Sequence, residues 1–247
     1  MSQSIQRAAE ILELIAVRPR TQSEIAIALG VHRSTALRTM QTLTDSGLSR
    51  RRADGSYGLG YRLAGLATVA AEQFDMRNVA HHSLDELGRE CTFTIHLAAL
   101  EGDTIVYADK IEQPGMIKLY SQVGQPVLLH TAGVSKAILA FQDEATIDRV
   151  LRGHQFTKFT ENTITSEAEF HAALVTTRAS GWAADDAEYE DYVNCVAMPI
   201  RDASGRVIAA VSITALKAKA DLETLTGWLP RLTETTEAIS RDLGWRP

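Results

Sequence analysis

The sequence predicts an α+β protein in two parts. A small helical head is closed by a β-hairpin, and a larger body groups antiparallel strands apart from its helices. Three observations predict it. The first sixty residues carry helical apolar spacing punctuated by Gly30 and Gly47, then an Asp54-Gly55 turn. Beyond residue 90, short apolar runs of strand character alternate with turn signals and then with capped helical runs. The charge divides at the same place. Residues 1–62 hold nine Arg, no Lys and five acids, a net +4, whereas residues 63–247 hold 16 basic and 26 acidic residues, a net −10. The total of −6 therefore hides a basic head on an acidic body, and a basic head suits an anionic partner.

Composition sets the outer limits. Across 247 residues, 45% are hydrophobic and 23% charged, which excludes a largely disordered chain and is long enough for two domains. No apolar run reaches the roughly 18–20 residues of a membrane span; Leu63 to Ala71 comes nearest. The opening MSQSIQRAAE lacks the apolar stretch of a signal peptide, so action in the cytoplasm is expected. Two cysteines, Cys91 and Cys195, cannot build a disulfide framework or a four-cysteine zinc site, and no cofactor is implied.

In the head, Ile5, Ala8, Ala9, Leu12, Ile15 and Ala16 fall at helical spacing, and Pro19 stops that helix. Thr21 and Glu24 have capping-box spacing at the start of a second, short helix that Gly30 ends. A tight turn leads to a third helix from about Arg33 to Ser46. Its inward face is Ala36, Leu37, Met40 and Leu43. Its outward face, Ser34, Thr35, Arg38, Gln41 and Thr42, carries no acid. Hydroxyls, an amide and a guanidinium can bond base edges and phosphates, which a merely solvated face, usually sprinkled with Glu and Asp, would not favour. The hairpin around Asp54-Gly55 places Arg50, Arg51 and Arg52 on its first strand, where they would meet a phosphate backbone. The whole reads as a winged helix-turn-helix.

An alanine-rich linker helix is expected from Tyr61 to about Phe74, followed by an amphipathic helix from Met76 to Arg89. The adjacent His81 and His82 diverge by about 100° on a helix and are expected at the surface rather than on a metal. Strands are expected over TFTIHLAAL, TIVYADKI and MIKLYSQ. Helices are expected over residues 131–141, 144–151 and 167–180, the last with Ser166 and Glu169 at capping-box spacing. Strands return at residues 182–188, at VNCVAMPI and at GRVIAAVSITA. A helical region from Leu222 to Leu243 closes the chain, with Pro230 at a helix start or kink.

The residues SIQRAAEILELIA, HRSTALRTMQTLTDSGL and YGLGYRL resemble the opening of the IclR family of bacterial transcription regulators. PVLLHTAGVSKAILA, GWAADDAEYEDYVNCVAMPI and VIAAVSIT resemble that family's body over nearly the whole chain. The resemblance implies a winged helix-turn-helix over residues 1–60, a linker helix over 61–75, and a GAF-like effector-binding domain with an antiparallel sheet over 76–247. It implies operator DNA as partner, met by Arg7, Gln22, Ser23, Arg33, Ser34, Thr35, Arg38, Gln41, Thr42 and Arg50 to Arg52. A homodimer or dimer of dimers would read two half-sites. The family's polar effector contacts map onto Gly133, Val134, Asp185, Cys195, Ser212 and Thr214, and its apolar wall onto Met116, Leu119, Val127 and Val193. The chain departs from the pattern at Ser135 and Tyr192, each standing where the family usually has Gly; a bulky Tyr192 would narrow the pocket mouth or make it aromatic.

The residues speak independently for a small organic acid. Gly133 and Val134 begin a helix, where free N–H groups favour an anion. Ser212 and Thr214 share one face of an otherwise apolar strand. The resemblance also puts Asp185 in that site, where it would repel a ligand carboxylate by roughly 4 kcal/mol at a near-surface dielectric unless it accepts a ligand hydroxyl or is protonated. No Lys or Arg is placed in the site to offset it. The expected effector is therefore a hydroxylated acid or a hydrated keto acid. The rival class is an enzyme using Cys195 as nucleophile or the acidic run Asp185 to Asp191 as a cation site. An apolar strand, however, leaves a thiol inert, and the acidic run lacks calcium-loop spacing and suits a solvated turn.

Overall fold

The computed structural model describes residues 3–73, 76–112 and 119–246. The chain divides into two compact units, Met1–Phe74 and Asp75–Pro247.

The first unit contains α1 (Gln3–Val17), α2 (Gln22–Ala28), α3 (Arg33–Asp45), β1 (Ser49–Arg51), β2 (Tyr57–Leu59) and α4 (Tyr61–Gln73). Its core is Ile11, Ile15, Ile25, Ala26, Ala36, Met40, Leu43 and Tyr57. The apolar stripe of α1 is rotated from the expected one: Ile11 is fully buried, while Ile5 is 73% exposed and Ala9 and Ala16 face solvent. Leu37 also departs from the inward set and is 40% exposed, because α2 and α1 cover only the Ala36–Met40–Leu43 face of α3. Thr21 caps α2 with the full reciprocal box, its hydroxyl accepting the Glu24 N–H while the Glu24 carboxylate accepts the Thr21 N–H. The hairpin pairs Arg50 with Gly58 and Arg51 with Tyr57. Arg52 lies beyond the strand and opens the turn, its N–H donating to Ser56 O. Arg20 and Tyr57 exchange both backbone hydrogen bonds, at 3.0 and 2.7 Å, so the wing is anchored to the segment before α2. Gly60 fits where no other residue could: a Cβ there would lie 2.1 Å from the Gly47 carbonyl oxygen, at the end of α3.

The second unit contains α5 (Met76–Cys91), β3 (Thr94–Glu101), β4 (Thr104–Ile111), α6 (Gly133–Leu139), α7 (Glu144–Leu151), α8 (Glu167–Ser180), β5 (Ala183–Asp186), β6 (Val193–Arg201), β7 (Val207–Leu216), α9 (Leu222–Thr226) and α10 (Leu229–Asp242). The five strands form one antiparallel sheet in the order β4-β3-β7-β6-β5. Strand alternation sends Ile95, Leu97, Val196, Val211 and Ile213 to one face, against α5, α9 and α10. It sends Ala98, Ala197 and Ala210 to the other, against α6, α7 and α8. The expected strand MIKLYSQ is not found among the described residues: residues 113–118 lie outside them, and Leu119 to Gln122 are not in a strand. The expected turn at Pro114-Gly115 and the wall residue Met116 lie outside the described residues as well. The C-terminal helical region is two helices, broken at Gly227-Trp228, because Pro230 occupies the first turn of α10. Ser166 caps α8, but Glu169 reaches one residue further back than the box predicts, to the Thr165 N–H. His81 is half-exposed and bonds the buried Asp109 at 2.6 Å; among the described residues no cluster could hold a metal ion.

Candidate DNA-reading face and ligand cavity

The exposed face of α3 carries Arg33, Ser34, Arg38, Gln41 and Thr42, with Thr35 half-buried. His32 caps the helix. Its Nδ1 accepts the Ser34 N–H, so the Ser34 hydroxyl also donates to it, at 2.8 Å. Thr42 donates to Arg38 O within the helix. The Gln22 side chain donates to Arg33 O at 3.1 Å, bracing α2 on α3, and Ser23 is half-buried beside it. Arg50, Arg51 and Arg52 are all exposed, and the Arg50 guanidinium stacks over the Tyr61 ring at 5.0 Å. Arg7 is half-buried and bonds Gln3 along α1.

In the body, a cavity of about 390 Å³, open mouth included, lies where α6 begins over the sheet. Of the expected contacts, Leu119, Gly133, Val134, Asp185, Val193, Cys195, Ser212 and Thr214 line it. Val127 does not: it is buried in the core beside Ile105, whose carbonyl accepts its N–H. Tyr192 is 52% exposed, outside this lining, with its hydroxyl on Glu190; the aromatic rings at the cavity are Tyr107 and Tyr120 instead. Ser135 is buried against the Ala132 carbonyl.

His96, Tyr107, Tyr120, Ser121, Ala132 and Glu190 also line the cavity and were not anticipated. The only signal for His96 was its place in an apolar strand, on the same face as Ala98. Its partners come from register. β3 pairs with β7 so that His96 stands opposite Ser212. Its Nδ1 meets Thr214 Oγ1 at 3.2 Å and Ser212 Oγ at 3.4 Å, and its Nε2 meets Ser121 Oγ at 2.7 Å. Burial, reinforced by the positive charge of Lys110, pushes the imidazole down to about 3, so it is neutral. Lys110 donates to the carbonyls of Leu119 and Ser121, pinning the segment that carries Tyr120 and Ser121 into the cavity. The phenol oxygens of Tyr107 and Tyr120 lie 3.3 Å apart, and burial raises both, Tyr107 to about 12; both are protonated at neutral pH.

One expectation is overturned here. Lys136 is buried and donates to Glu188, and its charge also acts on Asp185, so a cation does stand behind the Asp185 wall. The acidic run is a solvated turn only in part, with Asp186 and Asp191 exposed. Glu188 is buried, Asp185 Oδ1 accepts the Glu188 N–H at 2.8 Å, and the chain turns through Ala187 at φ +59°. Cys195 is no nucleophile. Burial pushes its thiol up, the Gly133 N–H points at its sulfur, and both ring nitrogens of His96 are occupied elsewhere. Gly133 must be glycine, since a Cβ would sit 2.7 Å from that sulfur.

Both units match one family. Residues 4–53 match the IclR helix-turn-helix domain, and residues 68–241 match the C-terminal domain of the bacterial transcriptional regulator IclR. The chain belongs to the IclR family. It is 33% identical over 246 residues to the HTH-type transcriptional regulator XynR of Escherichia coli (strain K12), covering 98% of each chain. To KdgR of the same organism it is 30% identical over 224 residues, 90% of this chain and 85% of that one. The crystal structure of the Thermotoga maritima IclR, 32% identical, superposes with a TM-score of 0.65 over 99% of this chain and all of that one. As an IclR-family protein the chain is a DNA-binding transcription regulator and not an enzyme. No helix among the described residues is long and apolar enough to cross a membrane.

Proposed function

We propose that this IclR-family regulator binds double-stranded operator DNA in the cytoplasm as a homodimer or dimer of dimers and senses a small organic acid in the cavity under α6. In this reading α3 enters the major groove, where Thr35 and Arg38 meet base edges. Arg7 and the wing arginines hold phosphate. Residues 1–60 act as the reader, 61–75 as the linker and 76–247 as the sensor.

The observation that carries the sensor reading is the hydroxyl set Ser121, Ser212 and Thr214, joined through one neutral imidazole at the wall of a cavity. Such a set presents donors to a carboxylate without presenting a charge. Leu119, Val134 and Val193 receive the carbon skeleton, and Asp185 accepts a ligand hydroxyl. The ligand class is a small hydroxy acid or hydrated keto acid.

Titration calorimetry with lactate, glycerate, pyruvate and propionate tests it. Hydroxylated acids should bind the wild type and lose about tenfold or more on Ser212→Ala with Thr214→Val, each lost bond to a charged group being worth about 1.5–3 kcal/mol. Propionate should bind better to Asp185→Asn than to the wild type. Equal binding of every acid to wild type and variants sinks the assignment of this cavity.

A further inference from the structure

At the cavity wall two carboxyls and one ammonium come together: Asp185 on β5, half-buried, and behind it Glu188 in the following turn and Lys136 on α6, both buried. Only Asp185 of the three lines the cavity. With all three ionised the group carries a net −1, and Glu188 Oε2 is buried without a hydrogen-bond partner among the described residues. A carboxylate ion left with an empty, buried oxygen is an unstable arrangement. Adding a ligand carboxylate beside it would put a second uncompensated negative charge in the same buried space.

We propose that an acid anion enters this cavity together with one proton from solvent, shared by Asp185 and Glu188 while Lys136 stays charged. The inference rests on the organic-acid reading above. The proton forms an O–H bond on one of the two carboxyls and leaves the buffer base behind, so the group and its ligand together keep the net −1 that the empty site had. Burial already holds both acids high, Asp185 at about 6 and Glu188 at about 7, against the lowering effect of Lys136. An arriving anion raises them further.

Four neighbouring groups do not take that proton. Tyr107, Tyr120 and the Cys195 thiol are already protonated at neutral pH, and His96 is held neutral by burial. Asp186 pairs with Lys217 at 3.2 Å on the exposed side, and Glu190 accepts the Tyr192 hydroxyl at 2.7 Å. Glu190 does line the cavity and is therefore the necessary control.

The test is calorimetry with glycerate, lactate and pyruvate in two buffers of very different ionisation enthalpy. The dependence of the observed heat on the buffer counts the protons taken up. Uptake should rise from near zero at about pH 5.5 toward one at about pH 8, and affinity should fall by up to about tenfold per pH unit above neutrality. Asp185→Asn and Glu188→Gln each leave one acid facing Lys136, a neutral pair, so uptake should drop toward zero in both. Glu190→Gln should keep it. Binding without buffer dependence, or uptake that survives in both Asp185→Asn and Glu188→Gln but vanishes in Glu190→Gln, overturns the inference and leaves the organic-acid reading standing. Failure of every acid to bind the wild type overturns that reading and the inference with it. Circular dichroism and a melt of each variant separate lost uptake from lost fold.

Discussion

Arg38 and the wing arginines are chemically alike and are expected to fail differently. Arg38 is exposed on the outer face of α3, where a guanidinium can take two acceptors on one guanine. Arg38→Ala should cost about 1–3 kcal/mol and relax preference at one operator position. Arg51→Ala should weaken binding to all sequences alike and lower the salt slope by about one unit. Fluorescence anisotropy over a set of single-base operator variants and three salt concentrations measures both. Unchanged affinity and preference in Arg38→Ala would mean that α3 is not the reading helix.

At the scale of elements, glycines decide whether the wing can close. Gly60 N–H donates to Leu48 O at 2.9 Å, and this contact lets the chain leaving β2 pass against the end of α3. Gly60→Ala places a methyl 2.1 Å from the Gly47 carbonyl oxygen, a backbone atom that cannot swing aside. A loss of about 1–3 kcal/mol is expected, as for an overpacked site, together with loss of DNA binding. Gly65 is the opposite case. It sits within α4, and a Cβ there meets nothing within 4 Å. Gly65→Ala should leave the head intact and stabilise the helix by about 0.5–1 kcal/mol. Thermal melts of the two variants check the contrast; equal melting points would refute the packing argument at Gly60.

For the whole molecule, the body has its own sheet and two cores and is expected to fold as residues 76–247 alone. Its stability should vary with pH through two raised carboxyls set against three depressed imidazoles. Asp185 and Glu188 are raised, so the folded state holds protons the unfolded chain has released, and stability drains away as pH rises through about 6 to 7. His96 is depressed to about 3, so its contribution is full above the unfolded imidazole value and is lost as pH falls toward 3. His130 and His154 are depressed by burial as well and act with His96, so the share of the two carboxyls is the difference between the wild type and Asp185→Asn with Glu188→Gln: the wild type should gain stability over that variant as pH falls from about 8 to 5. Calorimetric melts of the fragment across that range test it. That variant should lack the carboxyl contribution and keep the imidazole loss on acidification. A difference in melting temperature between wild type and that variant that stays constant from pH 8 to 5 would contradict the raised-carboxyl assignment.

Local rules in the sequence determined a great deal. The capping box of Thr21 and Glu24, the Asp54-Gly55 hairpin, the acid-free face of α3 and the strand alternation that puts Ser212 beside Thr214 are all relations among residues a few positions apart. Backbone geometry and helical or strand periodicity govern them directly. The family motifs added the polar contacts, all six of which line the cavity. What the local rules missed is non-local. Ile11 rather than Ala9 is buried in α1 because other helices choose which stripe to cover. Val127 went to the core, and Tyr107 and Tyr120 rather than Tyr192 supplied the aromatic wall. His96 acquires its role only when β3 pairs with β7 and brings Thr214 to it from 118 residues away. The sequence places no Lys or Arg in the site, yet packing of α6 on the sheet buries Lys136 against Glu188, 52 residues on. A buried charge must find its counter-charge or be neutralised, and which partner it finds is a property of the packed structure, because desolvation exists only once the chain has closed around it.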